Sequence, residues 1–231
     1  WFADGYRIYG SGVGRWDGET LTRFTVSSGL PSNIVRAIYV DADGTVWFGT
    51  SKGAARWLGD HFDTLEELRG LSVYDLGSGP DGELMIGHER GLSGWTPEGG
   101  VVDVPVSAAL GVVQFARSVA TFETVTSLLA DRRGTMWLGV AAMSQRFQRF
   151  AEGRLILQDD DRSAEAPGML SGQQIVHALL EGRGGVVWIG TEEGLYRHAE
   201  LTTAVTTSDG LAGNFILDLY EDREGYLWVC T

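Results

Sequence analysis

The 231-residue chain contains one cysteine, five prolines, one lysine and four histidines. A lone thiol, Cys230, can form neither an internal disulfide nor a multi-cysteine metal site, so cysteine usage says little about compartment. No apolar run approaches the roughly 18 residues that a membrane-spanning helix needs. No signal peptide is visible, but the chain opens on Trp1 inside a motif, and it reads as a piece of a longer protein. Basic residues number 18 against 31 acidic ones, for a net charge of −13. Without a basic footprint, neither nucleic acid nor an anionic membrane surface is an expected partner.

Catalytic signatures are missing too. There is no G-x-S-x-G, no H-E-x-x-H and no P-loop. His61, His88, His177 and His198 are scattered without ligand spacing. The run Asp41-x-Asp43-Gly44 opens like a calcium loop, but no downstream acid completes it, so it reads as a turn. Asp159–Asp161 reads as a solvated loop. No catalytic residue, metal site or cofactor is expected in these residues.

What the chain does have is glycine, 33 residues of it, and a repeat. DADGTVWFGT (41–50), DRRGTMWLGV (131–140), GRGGVVWIGT (182–191) and DREGYLWVCT (222–231) share the core (D/G)-x-x-G-x-x-W-Φ-(G/C), with Φ apolar. A fifth copy, GPDGELMIGH (79–88), carries Met85 in the tryptophan place, and a truncated copy begins at Trp1. The anchors Trp1, Trp47, Met85, Trp137, Trp188 and Trp228 are 46, 38, 52, 51 and 40 residues apart. A period of roughly 40–50 residues is that of propeller blades.

Each copy is preceded by an apolar run: 33–41, 71–77, 124–131, 174–182 and 214–222. Val35, Val73, Val125, Val176 and Ile216 share one column, and Ile38, Leu76, Leu128, Leu179 and Leu219 another. Between them runs a column of small or acidic residues: Ala37, Asp75, Ser127, Ala178 and Asp218. After the motif come GVGRW (12–16), GAARW (53–57), GLSGW (91–95) and GLYRH (194–198), then a fourth segment such as 20–24 or 61–65. Four short strands per unit, punctuated by Asp and Gly turns, predict an all-β propeller of four-stranded antiparallel blades, about five of them. The tryptophans are expected to pack between blades. Burying one indole removes roughly 150–250 Å² from water, about 4–6 kcal/mol gross. Two units are over-long, with insertions near 104–124 and 157–171 that read as surface loops. No domain boundary is evident, so 1–231 is expected to form one partial propeller.

The sequence GLPSNIVRAIYVDADGTVWFGTSKGAARW (29–57) resembles the two-component regulator propeller repeat over nearly its whole length. GTEEGLYRH (190–198) and GLAGNFILDLYEDREGYLWVCT (210–231) are similar to it as well. The copy at 71–95 departs from the pattern at Leu71 and Met85. The resemblance implies the extracytoplasmic, periplasmic sensor part of an inner-membrane signalling protein, a hybrid histidine kinase or a diguanylate cyclase. It implies a propeller of commonly seven blades, an adjacent propeller or β-sandwich domain in the same chain, a homodimer of the full-length protein, and glycans as ligands. The output domain would lie outside these residues. The first unit lacks its innermost strand and the last lacks its outer two. Those halves could complete a five-bladed ring, but a cut from a longer array is the preferred expectation.

The ligand-binding candidates follow from blade topology, in which the loops before the first strand and after the second share one face. Asn33, Gln174 and Asn214 occupy one column just before the first strand, where an amide can bond backbone or touch ligand. The same face would carry Lys52, His88, Glu89, Arg90, Glu192 and Glu193. The hairpin turns would put Asp43, Arg132, Arg133, Arg183 and Arg223 on the other face. His177 sits in a variable column with Arg36, Tyr74, Thr126 and Leu217, and reads as packed or channel-side. Mixed polar groups around a concave mouth suit a neutral or zwitterionic ligand such as an oligosaccharide. Two alternatives stand beside the sensor: a lyase or hydrolase using His177 with Asp218 or Asp75, and a protein-interaction scaffold using the 104–124 insertion.

Overall fold

In the computed structural model, residues 1–3, 10–79, 81–104, 124–141, 147–151, 154–157, 175–199 and 202–231 are described. Both insertions lie almost wholly outside them, as does Gln174. The described residues are all β apart from three short 3-10 turns. The chain divides into two compact units, Trp1–Val104 and Pro105–Thr231.

The first unit holds three sheets. The first is β1 (Phe2–Ala3), β2 (Val13–Trp16) and β3 (Leu21–Phe24). The second runs β4 (Val35–Val40), β5 (Val46–Thr50), β6 (Gly53–Trp57) and β7 (Phe62–Thr64). The third runs β8 (Val73–Ser78), β9 (Leu84–His88), β10 (Gly91–Thr96) and β11 (Gly100–Val104). The second unit holds two four-stranded sheets and a pair. These are β12 (Thr124–Ala130), β13 (Met136–Ala141), β14 (Phe147–Ala151) and β15 (Arg154–Leu157), then β16 (Val176–Glu181), β17 (Val187–Thr191), β18 (Leu195–His198) and β19 (Thr202–Val205), then β20 (Asp218–Glu221) and β21 (Leu227–Cys230). Strands pair antiparallel in chain order, the meander expected of blades.

The D-x-x-G turns close the first hairpin of each blade. Asp131 N–H donates to Thr135 O at 2.9 Å, and Gly134 N–H donates back to Asp131 O at 2.9 Å. Gly134 has φ of 78°, where a side chain would be strained. Asp131 Oδ1 also accepts from the Arg133 and Thr135 amides, so one carboxylate organises the whole turn.

Four of the anchors, Trp1, Trp47, Trp137 and Trp188, pack against the following sheet of their own unit. Trp47, 1% exposed, lies with Val73, Leu76, Leu84 and Ile86. Trp137, 4% exposed, lies with Val176, Val187, Ile189 and Tyr196. Trp188 packs against Ile216 and Leu219, and Trp1 against Val35 and Phe48. Met85 is buried in the same column. Trp228 departs from the expectation: it is 63% exposed, because no described sheet lies over β20–β21.

Candidate functional site

The end of the blades that receives the first strand and the turn after the second strand was the predicted recognition edge, and the two do meet. Ser51 N–H donates to Ile34 O at 3.0 Å, and Glu89 N–H to Ser72 O at 3.0 Å. In the second unit Ile216 N–H donates to Thr191 O at 2.8 Å, which sets Glu192 beside the Phe215 segment. Lys52 and Arg90 stand exposed on this edge of the first unit, and Glu193 is exposed in the second. Lys52 O also accepts Gly70 N–H, so the Lys52 turn is pinned to the next blade.

Asn33 and Asn214 do the same local work in both units. Asn33 Oδ1 accepts Val26 N–H at 2.9 Å, and Asn214 Oδ1 accepts Thr207 N–H at 2.7 Å. Each amide oxygen thus satisfies the opening N–H of a 3-10 turn, Val26–Ser28 or Thr207–Asp209. Backbone bonding, one of the two roles open to these amides, is the one seen. Gln174 lies outside the described residues.

His88 is not at a rim. It is 3% exposed and takes the place that Thr50 and Thr191 hold in other blades. Thr50 Oγ1 accepts Lys52 N–H at 3.2 Å and Thr191 Oγ1 accepts Glu193 N–H at 3.1 Å; His88 Nδ1 accepts Arg90 N–H at 3.1 Å. A backbone N–H can only donate, so the His88 proton sits on Nε2, which donates to Ser93 Oγ at 2.9 Å. Ser93 Oγ in turn donates to Asp103 Oδ1 at 3.0 Å. His, Ser and Asp are therefore in line, but the serine is in the middle with its proton committed to the carboxylate. A nucleophilic triad needs histidine in the middle, so this set is a structural lock. Burial pushes the His88 imidazole below its ordinary value, while Asp103 and Glu89 pull it up and Arg90 pushes it further down.

His177 follows a different logic. The first strand carries a β-bulge in four blades, at Val35/Ala37, Val73/Asp75, Val125/Ser127 and Val176/Ala178. The bulged residues are Arg36, Tyr74, Thr126 and His177, the variable column of the sequence. A bulge re-aims its side chain, and three of these reach the next blade. The Arg36 guanidinium lies 4.8 Å from the Tyr74 ring centroid, Thr126 Oγ1 donates to Val176 O at 2.8 Å, and the His177 ring stacks on Phe215 at 4.7 Å. Half-buried His177 keeps Nε2 shielded with no partner among the described residues. Burial lowers its pKa, and Glu192 opposes that. Phe215, 42% exposed, was missed as a site residue, because in sequence it reads as one more strand aromatic.

On the hairpin side the sequence found the arginines but not their partners. Glu181 Oε2 accepts Arg132 N–H at 2.8 Å, and Glu221 Oε2 accepts Arg183 N–H at 3.0 Å. The same carboxylates face Arg132 Nε at 3.9 Å and Arg183 Nε at 3.2 Å. Each acid at the end of one first strand thus clasps the hairpin of the preceding blade.

Among the described residues no group of three or more His, Cys, Asp or Glu is placed to hold a metal ion, and no helix is long and apolar enough to cross a membrane.

Four-stranded antiparallel blades stacked on a tryptophan column define a β-propeller protein. The model of the two-component regulator propeller repeat matches two stretches of the chain, residues 29–52 and 210–231. No curated protein matches it. Among solved structures it is similar to the extracellular domain of BT4673 from B. thetaiotaomicron, described as a putative hybrid two component system. That likeness has 21% identity and a TM-score of 0.64, over 84% of this chain and 26% of that one. The chain therefore spans about a quarter of that domain's length. Virginiamycin B lyase from Staphylococcus aureus matches at 11% identity and a TM-score of 0.65, over 94% of this chain and 69% of the lyase. PorZ of Porphyromonas gingivalis, a surface component of the type-IX secretion system, matches at 15% and 0.65, over 96% of this chain and 35% of its own. At these identities the likeness is one of fold.

Proposed function

We propose that the chain is a ligand-binding sensor module of a bacterial signalling protein, held outside the cytoplasm, which binds its ligand without turning it over. The observation that carries this is the family match of its repeats at 29–52 and 210–231. The description of the BT4673 domain as extracellular, in a putative hybrid two component system, supports the placement. A kinase or cyclase output domain, a neighbouring propeller or β-sandwich domain and a homodimer belong to the same proposal.

The ligand class we propose is an oligosaccharide. Lys52 and Arg90 on one unit's recognition edge, and Glu192 with Phe215 on the other's, offer both charge signs and an aromatic face. That mixture suits a neutral, hydroxyl-rich molecule better than an ion of either sign. A thermal-shift screen of oligosaccharides on the purified protein tests it. A ligand at a hundred times its Kd should stabilise by about 2.7 kcal/mol. No shift with any glycan would remove the ligand class. Glycan turnover abolished by His177→Ala would replace the sensor with an enzyme.

A further inference from the structure

A bulge takes one side chain of the first strand out of the pleat. In the seam between the β4–β7 and β8–β11 sheets, both complete with four strands, those side chains are Arg36 and Tyr74. Arg36 is exposed, and its guanidinium lies 4.8 Å from the Tyr74 ring centroid. A ring face attracts the charge of a guanidinium and leaves its N–H donors to other partners. Other arginines of this unit commit those donors to acids: Arg56 Nε donates to Asp63 Oδ2 at 2.9 Å and Arg69 Nε to Glu66 Oε2 at 2.6 Å. Arg36 makes no hydrogen bond or ion pair among the described residues. Its fork is held in place with its donors uncommitted.

The rim beside this pair is fixed by hydrogen bonds. Ser51 N–H donates to the carbonyl of Ile34, two residues before Arg36, and Glu89 N–H to that of Ser72, two residues before Tyr74. Ser72 Oγ donates to Ser51 O at 3.4 Å, and Gly70 N–H donates to Lys52 O at 3.0 Å. The turns that carry Lys52 and Arg90 are thus both tied to the entry of β8. Lys52 and Arg90 add exposed donors along the seam, with half-buried Glu89 beside them.

We propose that Arg36, braced by Tyr74, is a ligand-binding residue whose fork takes two adjacent hydroxyl groups of a sugar ring, with neighbouring hydroxyls reaching Lys52 and Arg90. A planar guanidinium matches two oxygens held side by side. A carboxylate offers the same pair, but the chain's net charge of −13 repels an anion, and Glu89 stands on the same rim. Adjacent ring hydroxyls offer the pair without the charge. The proposal rests on the oligosaccharide reading and narrows it to sugars whose repeating unit keeps two adjacent hydroxyls free.

Titration calorimetry with the hexaoses of 1,4-linked glucose, xylose, mannose and galactose tests it, because every unit of these chains keeps such a pair. Laminarihexaose, its glucose units 1,3-linked, keeps one only at its ends. A 1,4-linked hexaose should bind at least about tenfold more tightly than laminarihexaose, and Arg36→Lys, which keeps the charge and loses the fork, should weaken that binding about tenfold or more. Tyr74→Phe keeps the ring and should bind within about twofold of wild type. Arg36 is exposed, so the ligand-free Tm of Arg36→Lys should match wild type, which separates a binding role from a structural one. Equal binding by Arg36→Lys and wild type would overturn the fork and leave the oligosaccharide reading standing. Equal binding of laminarihexaose would overturn the need for adjacent hydroxyls. Tighter binding of the 1,4-linked galacturonic acid hexaose would make the fork a carboxylate site and overturn the hydroxyl pair. Binding of none of them by wild type would overturn the oligosaccharide reading and this inference together.

Discussion

Trp137 Nε1 donates to Asp131 Oδ2 at 2.9 Å, joining the first and seventh positions of the repeat motif. Trp228 does the same with Asp222 at 2.7 Å. The aspartate of D-x-x-G therefore serves twice: it closes the hairpin with one oxygen and accepts the indole N–H with the other. At Gly182 the aspartate is missing. Trp47 Nε1 finds no acceptor among the described residues although Asp41 is present. The blades of Trp47 and Trp137 are thus not equivalent in bonding.

Asp131→Ala should cost about 1–3 kcal/mol, because it strands the N–H of a nearly buried ring. Asp131→Asn keeps an acceptor and should cost less. Urea unfolding of the two variants checks the order, and equal midpoints for Ala and wild type would show that the bond adds nothing net.

Trp137→Ala should cost about 3–5 kcal/mol, since the ring fills the seam with Val176 and Ile189. Met85→Trp is the converse test. Met85 is already buried, so restoring the repeat's own residue should overpack its blade and cost about 1–3 kcal/mol. A stabilised Met85→Trp protein would mean that the methionine leaves a gap in its seam.

Glu181→Ala should cost about 1 kcal/mol by freeing the Arg132 turn, and Glu181→Gln should retain most of that, since an amide oxygen can still accept the backbone N–H. Thermal unfolding at low and high salt separates the two contributions: the guanidinium contact is screened, the backbone bond much less.

The periodic spacing of Trp47, Trp137 and Trp188, with the apolar columns beside them, made the blades legible in the sequence, because buried seams demand large apolar residues at fixed intervals. The roles of polar residues were less legible. His88 looks like a rim residue until the threonines at its position are seen bonding the same turn. The bulge that re-aims His177 leaves no mark in composition, since any residue can occupy it. The clasp between Glu181 and Arg132 spans 49 residues and joins two blades, a pairing that local patterning does not contain.

His88 carries the sharpest pH prediction. The lock needs neutral imidazole, because Nδ1 must accept from Arg90 while Nε2 donates to Ser93. Protonation would point N–H at N–H and open the Arg90 turn. With its folded pKa pushed below the ordinary value of about 6.5, His88 binds a proton more readily when unfolded. Its stabilisation is therefore complete above about pH 6.5 and is lost as pH falls below that toward the folded value. The exposed carboxylates held low by hydrogen bonds, such as Asp17 and Asp43, enter only near and below about pH 4, so the intervening window isolates histidine. His177, lowered by burial as well, contributes in the same direction, so the slope should not vanish when His88 is replaced. His88→Thr installs the residue that three other copies of the motif carry at this position and removes the titrating group. Urea midpoints at about pH 7.5 and about pH 5.5 should differ less in His88→Thr than in wild type. An unchanged difference would place the acid sensitivity elsewhere and leave the imidazole as a turn cap alone.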